Sequence, residues 1–306
     1  MRIFTDLNFD FMSKRKFFYG LSSFIILAGI ISFVVKGVDL GIDFTGGTEV
    51  VVRFPEEKPI GDVRKAVLNS ELGSVEVKTF GSASDYLIRT QRKGEGSRIS
   101  EMINEALHKA FPGEKIEILQ ENRVEAKIGK EIRRDAVLAI FFALIGILLY
   151  IGFRFKFVFA SGAVLALFHD VLVSLGIVSI FDGLLPGLNL EFNQAMVAAF
   201  LTIVGYSVND TVVVFDRVRE NLKIFKTTDF EQVLNKSIST TMSRTVLTSG
   251  TTLLAILALF LFGGEPTRGF AFALLVGVVA GTYSSIYVAS SLVRDIVYAR
   301  EMKVKF

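Results

Sequence analysis

Residues 195–215 have the sequence AMVAAFLTIVGYSVNDTVVVF, an apolar run long enough to cross a bilayer as a helix. Asp210 lies within this run, beside Asn209. An ionised carboxylate near the centre of a bilayer costs about 2.5–3.5 kcal/mol, so such residues are usually kept for function. The run therefore predicts a transmembrane helix that carries a proton-binding or ion-binding residue. The alternative is a shallow acid near the interface that is solvated or structurally paired.

Other apolar runs of similar length indicate that the chain crosses the membrane several times. The chain is 51% hydrophobic, and its charged residues are concentrated in residues 53–135. This segregation predicts a polytopic α-helical membrane protein with six transmembrane helices and one extracytoplasmic domain, residues 36–135, between helices 1 and 2. The predicted spans are residues 17–35, 136–153, 157–181, 192–215, 245–262 and 269–292.

Lysine and arginine predict the orientation of these spans. Lys14, Arg15 and Lys16 directly precede the first span, which is longer than a typical signal-peptide core and is expected to stay as an anchor. Positive residues favour the cytoplasmic side. We therefore expect residues 1–16 and the tail, residues 293–306, to be cytoplasmic. The short outside loops, residues 182–191 and 263–268, fit this orientation because they carry a single basic residue between them, Arg268.

A cytoplasmic loop, residues 216–243, is expected between the fourth and fifth spans. Phe230, Val233, Leu234 and Ile238 share one face of this segment, so we expect it to lie along the membrane or against the bundle. Asp216 and Arg217 are expected to cap the fourth span at the interface as anchors.

The extracytoplasmic domain has the periodicity of alternating strands and helices. The order βαββαβ predicts a ferredoxin-like α+β sandwich, and the residues Gly81 to Asp85 are expected to form a hairpin loop. The predicted elements are strands at 48–54, 75–80, 86–91 and 115–124, and helices at 59–72 and 99–110.

Polar residues occur at helical spacing in two of the spans. Two such stripes can meet inside a bundle, where the acid and the base each offset part of the other's desolvation. We expect Asp210 and Arg244 to form a proton relay, supported by Asn209 and by Thr248 and Thr252. The threonines alone favour helix packing with hydrogen bonds to their own backbone. The full stripes are Thr202, Tyr206, Asn209 and Asp210 in the fourth span, and Arg244, Thr248, Thr251 and Thr252 in the fifth.

The third span carries an adjacent pair, His169 and Asp170, at its middle. Neighbouring residues on a helix point about 100° apart, so one of them is expected to face water or a neighbouring subunit. Proton movement and structural hydrogen bonding are both open roles for this pair. In the sixth span Gly277 and Gly281 are expected to serve close helix packing.

Several function classes are excluded by what the sequence lacks. The absence of cysteine removes disulfides and thiolate metal sites, and two histidines are too few for a histidine cluster. No phosphate-binding glycine loop, nucleophile elbow or metal-ligand spacing occurs. A net charge of +3 without basic–aromatic runs argues against nucleic-acid binding. We therefore expect no enzyme activity, no metal and no cofactor.

Four segments resemble the SecD/SecF family of translocase subunits, and its SecF branch in particular. GIDFTGGTEV at 41–50 resembles the family signature that follows the first span, within which Gly41, Asp43, Gly46 and Gly47 match the outer hinge. The other segments are GYSVNDTVVVFDRVREN at 205–221, SRTVLTSGTTLLA at 243–255 and YSSIYVASSL at 283–292.

This resemblance implies a function and a set of partners. It implies a resistance–nodulation–division subunit of the bacterial inner membrane that pairs with SecD as a heterodimer beside the SecYEG channel, SecA and accessory subunits. Such a unit couples the proton-motive force to the translocation of unfolded preprotein, and the family's acid and arginine fall on Asp210 and Arg244. A small-molecule proton antiporter and a passive scaffold are the alternatives, and Na⁺ is an alternative coupling ion.

Overall fold

A computed structural model describes residues 9–68, 72, 75–91, 96–184 and 188–300. Among these residues, six helices are long and apolar enough to cross a membrane. A small four-stranded sheet lies between the first and second of these helices. The predicted fold class is therefore confirmed, and the chain is a multi-pass membrane protein. The side of the membrane that faces the sheet is called the domain side below.

The first helix leads directly into the soluble domain. Helix α1, Arg15–Lys36, follows a 3-10 turn at Met12–Lys14, and a single helical turn, α2, occupies Ile42–Thr45. Strand β1, Gly47–Arg53, then begins the sheet. The remaining elements of the domain are α3 (Ile60–Leu68), β2 (Val75–Phe80), β3 (Ser82–Thr90), α4 (Gly96–Ala110) and β4 (Glu117–Val124).

The sheet has the strand order β2-β3-β1-β4 and is antiparallel throughout. This order with two helices is the ferredoxin-like arrangement that the βαββαβ pattern predicts. Val50, Val52 and Ile88 of the central strands form one buried core with Val63 of α3 and Ile103 of α4. Since strand side chains alternate between the two faces, Glu49 and Arg89 lie on the face opposite this core.

The hairpin between β2 and β3 is tighter than predicted. The residues Ser82 to Asp85 belong to β3, so Gly81 alone separates the two strands. Gly81 has φ 71°, and the register shifts between Thr79 and Phe80. Glycine adopts positive φ without steric cost, which permits this abrupt reversal.

Five further membrane spans follow β4 in the described part of the chain, and the last of them comprises two α-helices. The last span is interrupted by a π-helical segment at Ser285–Ala289. The helices are α5 (Ala126–Arg154), α6 (Phe157–Phe181), α7 (Gln194–Ile224), α8 (Phe230–Phe262), α9 (Glu265–Ser284) and α10 (Ser290–Ala299).

Several helices continue past the apolar runs that predicted them. Helix α5 starts at Ala126 rather than residue 136, because its polar first turns lie outside the hydrophobic stretch. Most of the predicted cytoplasmic loop at 216–243 is helical, since α7 extends to Ile224 and α8 begins at Phe230. Asp216 and Arg217 therefore lie inside α7 rather than at its end.

The helical extensions pack against the bundle, the second of the two arrangements expected for 216–243. Leu234 and Ile238 of α8 are buried in the same core as Phe215 and Val218 of α7. Asp216 forms an ion pair with Arg154 of α5 at 2.6 Å. These contacts fix the ends of three helices on the side opposite the domain.

Close glycine contacts set the positions of the central helices. A Cβ atom at Gly29 of α1 would lie 2.4 Å from the Cα of Gly176 in α6, so these two backbones touch. A Cβ at Gly281 of α9 would lie 3.0 Å from Ser207 Cβ in α7. Small residues allow membrane helices to approach this closely, which confirms the packing role predicted for Gly281.

Candidate functional site

Asp210 lies inside the bundle, where α7, α8 and α9 meet. The residue is 3% exposed. Ser249 of α8 donates a hydrogen bond to Asp210 Oδ2 at 3.3 Å, and Thr282 of α9 donates to Ser249 Oγ at 2.9 Å. The hydroxyl of Tyr206, one turn earlier on α7, also donates to Ser249 at 3.3 Å. Asp210 therefore terminates a chain of hydroxyl groups that joins three helices.

Arg244 approaches Asp210 without contacting it. Within the described part of the chain, Arg244 forms no ion pair, and it acts on Asp210 only through the longer-range electrostatic interaction. Its side chain is exposed on the surface of the bundle, as is that of Asn209. Asp210 and Arg244 therefore lie on packed helices without direct contact between their side chains.

The threonines of the two predicted stripes have different surroundings. Thr202 donates to the carbonyl of Ala198, and Thr251 donates to the carbonyl of Leu247. Both hydroxyls therefore serve their own helices, as expected from packing alone. Thr248 and Thr252 are half-buried, and the α8 hydroxyl that reaches Asp210 is that of Ser249.

His169 and Asp170 are both enclosed by the bundle, which differs from the expectation that one of them faces outward. Asp170 is fully buried, and its Oδ1 lies 2.8 Å from His169 Nδ1. Ser207 of α7 donates to the other oxygen of Asp170. The two side chains leave the helix in different directions, but their rotamers bring the imidazole and the carboxylate into contact, so the two groups bond to each other.

The glycine motif at 41–47 holds the start of the domain against two membrane helices. Gly46 and Gly47 have φ 72° and 139°. A Cβ atom at Gly46 would lie 2.6 Å from the Cα of Ala126, so α2 packs directly on the first turn of α5. Asp43 Oδ2 accepts a hydrogen bond from the backbone N–H of Gln194, the first residue of α7, at 2.9 Å.

The segment before α7 also bonds to the backbone of this motif. Phe192 donates its N–H to the carbonyl of Asp39 at 2.7 Å, and Gly41 donates to the carbonyl of Phe192 at 3.0 Å. Leu40 and Phe192 thereby form a parallel β-bridge. The connection between α1 and the domain is consequently bonded to the N-terminal end of α7.

An ion cluster centred on Arg89 completes this junction. The side chain of Arg89 is 6% exposed and lies between Glu49 and Glu76, its cross-strand neighbours, at 3.2 Å from each. It also pairs with Glu191, directly before Phe192, and with Asp39 at 3.7 Å. The domain is therefore attached to the end of α7 by buried charges as well as by backbone hydrogen bonds.

Burial and charge shift the pKa values of the domain's members of this cluster. Burial raises the pKa of Glu49 above its ordinary value of 4.5, Glu191 raises it further, and Arg89 opposes both. For Arg89, burial acts to lower the pKa, but Glu191, Glu49 and Glu76 outweigh it and the pKa lies above its usual range. Arg89 therefore stays charged at neutral pH, while Glu49 takes up a proton at a higher pH than an ordinary glutamate does.

Sequence reasoning did not identify the serines and the charged junction. Serines in membrane helices commonly serve helix packing, so Ser249 and Ser207 do not stand out in the sequence. Their contacts with Asp210 and Asp170 depend on how the helices are arranged in space. Arg89 had a usable signal, because it is a charged residue inside the otherwise apolar strand sequence YLIRT. A buried arginine needs carboxylate partners, which could have pointed to Glu49.

Two family models match the chain. Residues 102–299 match the C-terminal model of the SecD/SecF protein export membrane proteins, and residues 31–54 match the SecD/SecF GG motif. The chain belongs to the SecD/SecF family. The GG motif match includes Gly41, Asp43, Gly46 and Gly47, and the longer match includes Asp170, Asp210 and Arg244.

Individual relatives extend over nearly the whole chain. A protein translocase subunit SecF from Rhodothermus marinus is 49% identical over 97% of this chain and 96% of the relative. A SecF subunit from Pseudomonas aeruginosa is 39% identical over 92% of this chain and 89% of its own length. The crystal structure of SecDF, a translocon-associated membrane protein from Thermus thermophilus, matches 97% of this chain with a TM-score of 0.83 and 35% identity. This chain spans 39% of that protein's length, so it corresponds to less than half of SecDF.

Proposed function

We propose that this chain is a SecF-type subunit that couples a transmembrane proton gradient to the movement of polypeptide on the domain side. Membership of the SecD/SecF family supports a role in protein translocation. The buried Asp210 supports the proton coupling, since ionisable residues within the membrane commonly serve proton pathways.

One observation carries the mechanism: the same helix holds both the intramembrane acid and the contact with the soluble domain. Helix α7 begins at Gln194, which bonds to Asp43, and Glu191 just before it pairs with Arg89. Asp210 lies about 24 Å further along this helix, at about 1.5 Å per residue. A shift or tilt of α7 at Asp210 is therefore transmitted along a rigid element to the base of the domain.

Protonation of Asp210 changes the forces on this helix. The neutral carboxyl loses its attraction to Arg244 and accepts the hydrogen bond from Ser249 more weakly. Helices α7 and α8 then settle in a different relative position, and the domain follows through its junction with α7. One charge that crosses 100 mV supplies about 2.3 kcal/mol, which biases a two-state element about fifty-fold. Release of the proton on the opposite side resets the cycle.

The exposed polar surface around Asp210 supports a partner that covers it. Thr202 and Asn209 of α7 and Arg244 and Thr251 of α8 are exposed. An exposed arginine within a membrane helix is costly in lipid, so this surface fits an interface with a second membrane subunit. We assign SecD to it, because the SecDF structure joins a chain like this one to additional sequence in a single protein.

The remaining partners and the location follow from the family. We expect the complex to lie in the bacterial inner membrane beside SecYEG, to act on preprotein that SecA has begun to translocate, and to keep both termini of this chain in the cytoplasm. The domain side is then extracytoplasmic, and protons enter from it.

Inverted membrane vesicles in which this chain replaces the native subunit test the proposal. Completion of preprotein translocation is measured with and without a proton gradient, after equal assembly has been confirmed. Asp210→Asn should lose the gradient-dependent part, whereas Asp216→Asn, an acid of α7 that pairs with Arg154, should keep it. Full gradient dependence in Asp210→Asn would reject proton coupling through this residue and favour a scaffold role.

A further inference from the structure

A second polar cluster lies inside the bundle, apart from the contacts of Asp210. It is centred on His169 and Asp170 at the middle of α6, whose side chains are 10% and 0% exposed. Asp170 is held by His169 Nδ1 and by the hydroxyl of Ser207. On the other side of the imidazole ring, Nε2 lies 2.7 Å from Ser22 Oγ of α1 and 3.2 Å from the Tyr283 hydroxyl of α9. Both carboxylate oxygens and both ring nitrogens are therefore engaged.

The chemistry of these contacts allows one proton to be gained or lost. A fully buried carboxylate is expensive unless a positive charge compensates it, and His169 is the residue in contact with Asp170 that can supply one. An imidazole that donates Nδ1–H to Asp170 can carry a second proton on Nε2, which makes the pair neutral overall. A hydroxyl donates to a neutral ring nitrogen and accepts from a protonated one. Nε2 can therefore exchange a proton while every contact is kept.

The neighbouring helices bring other titratable groups toward α6. Tyr283 contacts the cluster directly, whereas Tyr19 of α1 donates to Asp295 of α10. Asp295 also pairs with Arg15 and Arg294, so the charges at that end of the bundle compensate one another. Other titratable groups on helices packed against α6 include Tyr206, Asp210 and Asp216 of α7, Tyr287 of the π-helical segment and Arg154 of α5. Lys36 of α1 donates to the carbonyls of Ser179 and Ile180 at the far end of α6.

The cluster shares two helices with Asp210. Ser207 lies one turn before Asp210 on α7. Tyr283 directly follows Thr282, whose hydroxyl bonds to Ser249, the partner of Asp210. Helix α9 ends at Ser284 and gives way to the π-helical segment, a local geometry that is frequent at functional sites. A change of charge at His169 therefore acts on the same two helices that hold Asp210.

We propose that His169 and Asp170 form a second proton-binding site of this chain, with Nε2 of His169 as the atom that gains and loses the proton. Asp170 stays ionised, and the proton is exchanged on the side of the ring that faces Ser22 and Tyr283. The inference rests on the proton-driven function proposed above and adds a site that regulates it. When His169 is protonated, the pair is neutral and α7 and α9 are held to α6; when it is not, the buried charge of Asp170 favours their separation.

Nitrogen NMR of the histidines tests proton occupancy directly. The chain has two histidines, so His108→Gln leaves His169 as the one labelled residue when the chain is assembled with an unlabelled partner. As the pH is raised over the range in which the complex stays assembled, His169 should change from two protonated ring nitrogens to one. Ser207→Ala, which keeps both charges, should preserve this change, and Asp170→Asn should abolish it. A ring that stays in one form over the whole range, charged or neutral, would overturn the proposal.

The vesicle assay tests whether the site works in translocation. At equal assembly, the gradient-dependent rate of His169→Gln should be at least about tenfold lower than that of the wild type, whereas His108→Gln should match the wild type. If Asp210→Asn keeps full gradient dependence, the proposed function fails. If Asp210→Asn loses that dependence and His169→Gln keeps it, the second site alone fails. If His169→Gln does not assemble, the NMR titration of the His108→Gln chain decides.

Discussion

Replacement of Arg89 by glutamine should detach the soluble domain from the end of α7. Arg89 is the cation between Glu49 and Glu191, whose side chains are 10% and 8% exposed. Glu76 and Asp39 are more exposed, at 42% and 27%, so water can solvate them once the arginine is gone. Removal of one partner from a buried ion pair costs about 3–5 kcal/mol. Because two buried carboxylates lose their partner here, we expect a loss of that size in the docking free energy.

Disulfide crosslinking across the Leu40–Phe192 bridge measures this docking. Residues in such a bridge have Cα atoms about 4.8 Å apart, within the range that a disulfide spans. The chain has no cysteine of its own, so Leu40→Cys with Phe192→Cys gives one defined crosslink. A loss of about 3 kcal/mol lowers the docked population more than a hundred-fold relative to the open one. Arg89→Gln should therefore slow crosslinking strongly in the assembled complex.

A matched control and a second substitution make this prediction specific. Arg53→Gln removes an arginine from the same sheet that pairs with Asp85 at 2.7 Å, away from α7, and should leave crosslinking unchanged. Adding Glu191→Gln to Arg89→Gln should restore part of the docking, because it removes one of the unpaired buried charges; the coupling should be about 1–3 kcal/mol. Crosslinking at the wild-type rate in Arg89→Gln would refute the role of the ion cluster.

Three further predictions concern the hinge, the domain and the hydroxyl chain. Gly46→Ala should lower the melting temperature more than Gly37→Ala, because both glycines have positive φ but only Gly46 of the two packs on Ala126. Equal losses in the two variants would contradict the close packing of α2 on α5. Asp85 and Glu49 should have opposite effects on the pH dependence of stability, which acid unfolding followed by circular dichroism measures. The hydrogen bond from Arg53 lowers the pKa of Asp85, so its contribution to stability is present above its ordinary value of 3.8 and is lost as the pH falls further. Because the pKa of Glu49 is raised in the folded protein, its contribution to stability decreases as the pH rises above 4.5. Glu49→Gln should remove this decrease, and an unchanged pH profile would contradict the raised pKa. Ser249→Ala should reduce gradient-dependent translocation about 2- to 10-fold by removing the hydrogen bond to Asp210, whereas Thr251→Ala, whose hydroxyl bonds to its own helix, should not.

The sequence predicted the fold class and the position of the intramembrane acid because both depend on local patterns. Apolar runs located the six membrane-spanning helices found among the described residues, and the alternation of strands and helices predicted the ferredoxin-like domain. Helix ends were less predictable: α5 and α8 continue in polar sequence, which hydropathy does not distinguish from a loop. For this reason 216–243 was expected to be a loop, although most of it is helical.

The neighbours of the candidate site could not be predicted in the same way. Asp210 stands out as a charge among apolar residues, but Ser249 and Thr282 are adjacent to it only because three helices meet there. Arg244 matched the expected helical spacing and still lies on the bundle surface, since spacing within one helix does not fix its rotation against another. The attachment of the domain to α7 likewise depends on Glu191, a loop residue more than one hundred positions from Arg89.

In the mechanism that we propose, protonation of Asp210 moves α7 and, with it, the soluble domain. Spin labels at Lys109→Cys on α4 and Lys223→Cys at the opposite end of α7 would report the distance between the domain and the far side of the membrane; both positions are exposed. The measurement uses the complex with a cysteine-free SecD in proteoliposomes, by double electron–electron resonance at about pH 5 and pH 8. If Asp210 drives the movement, the wild type should give two different distance distributions, and Asp210→Asn should give a single, low-pH distribution at both pH values. An unchanged wild-type distribution, or an Asp210→Asn chain that still responds to pH, would contradict it.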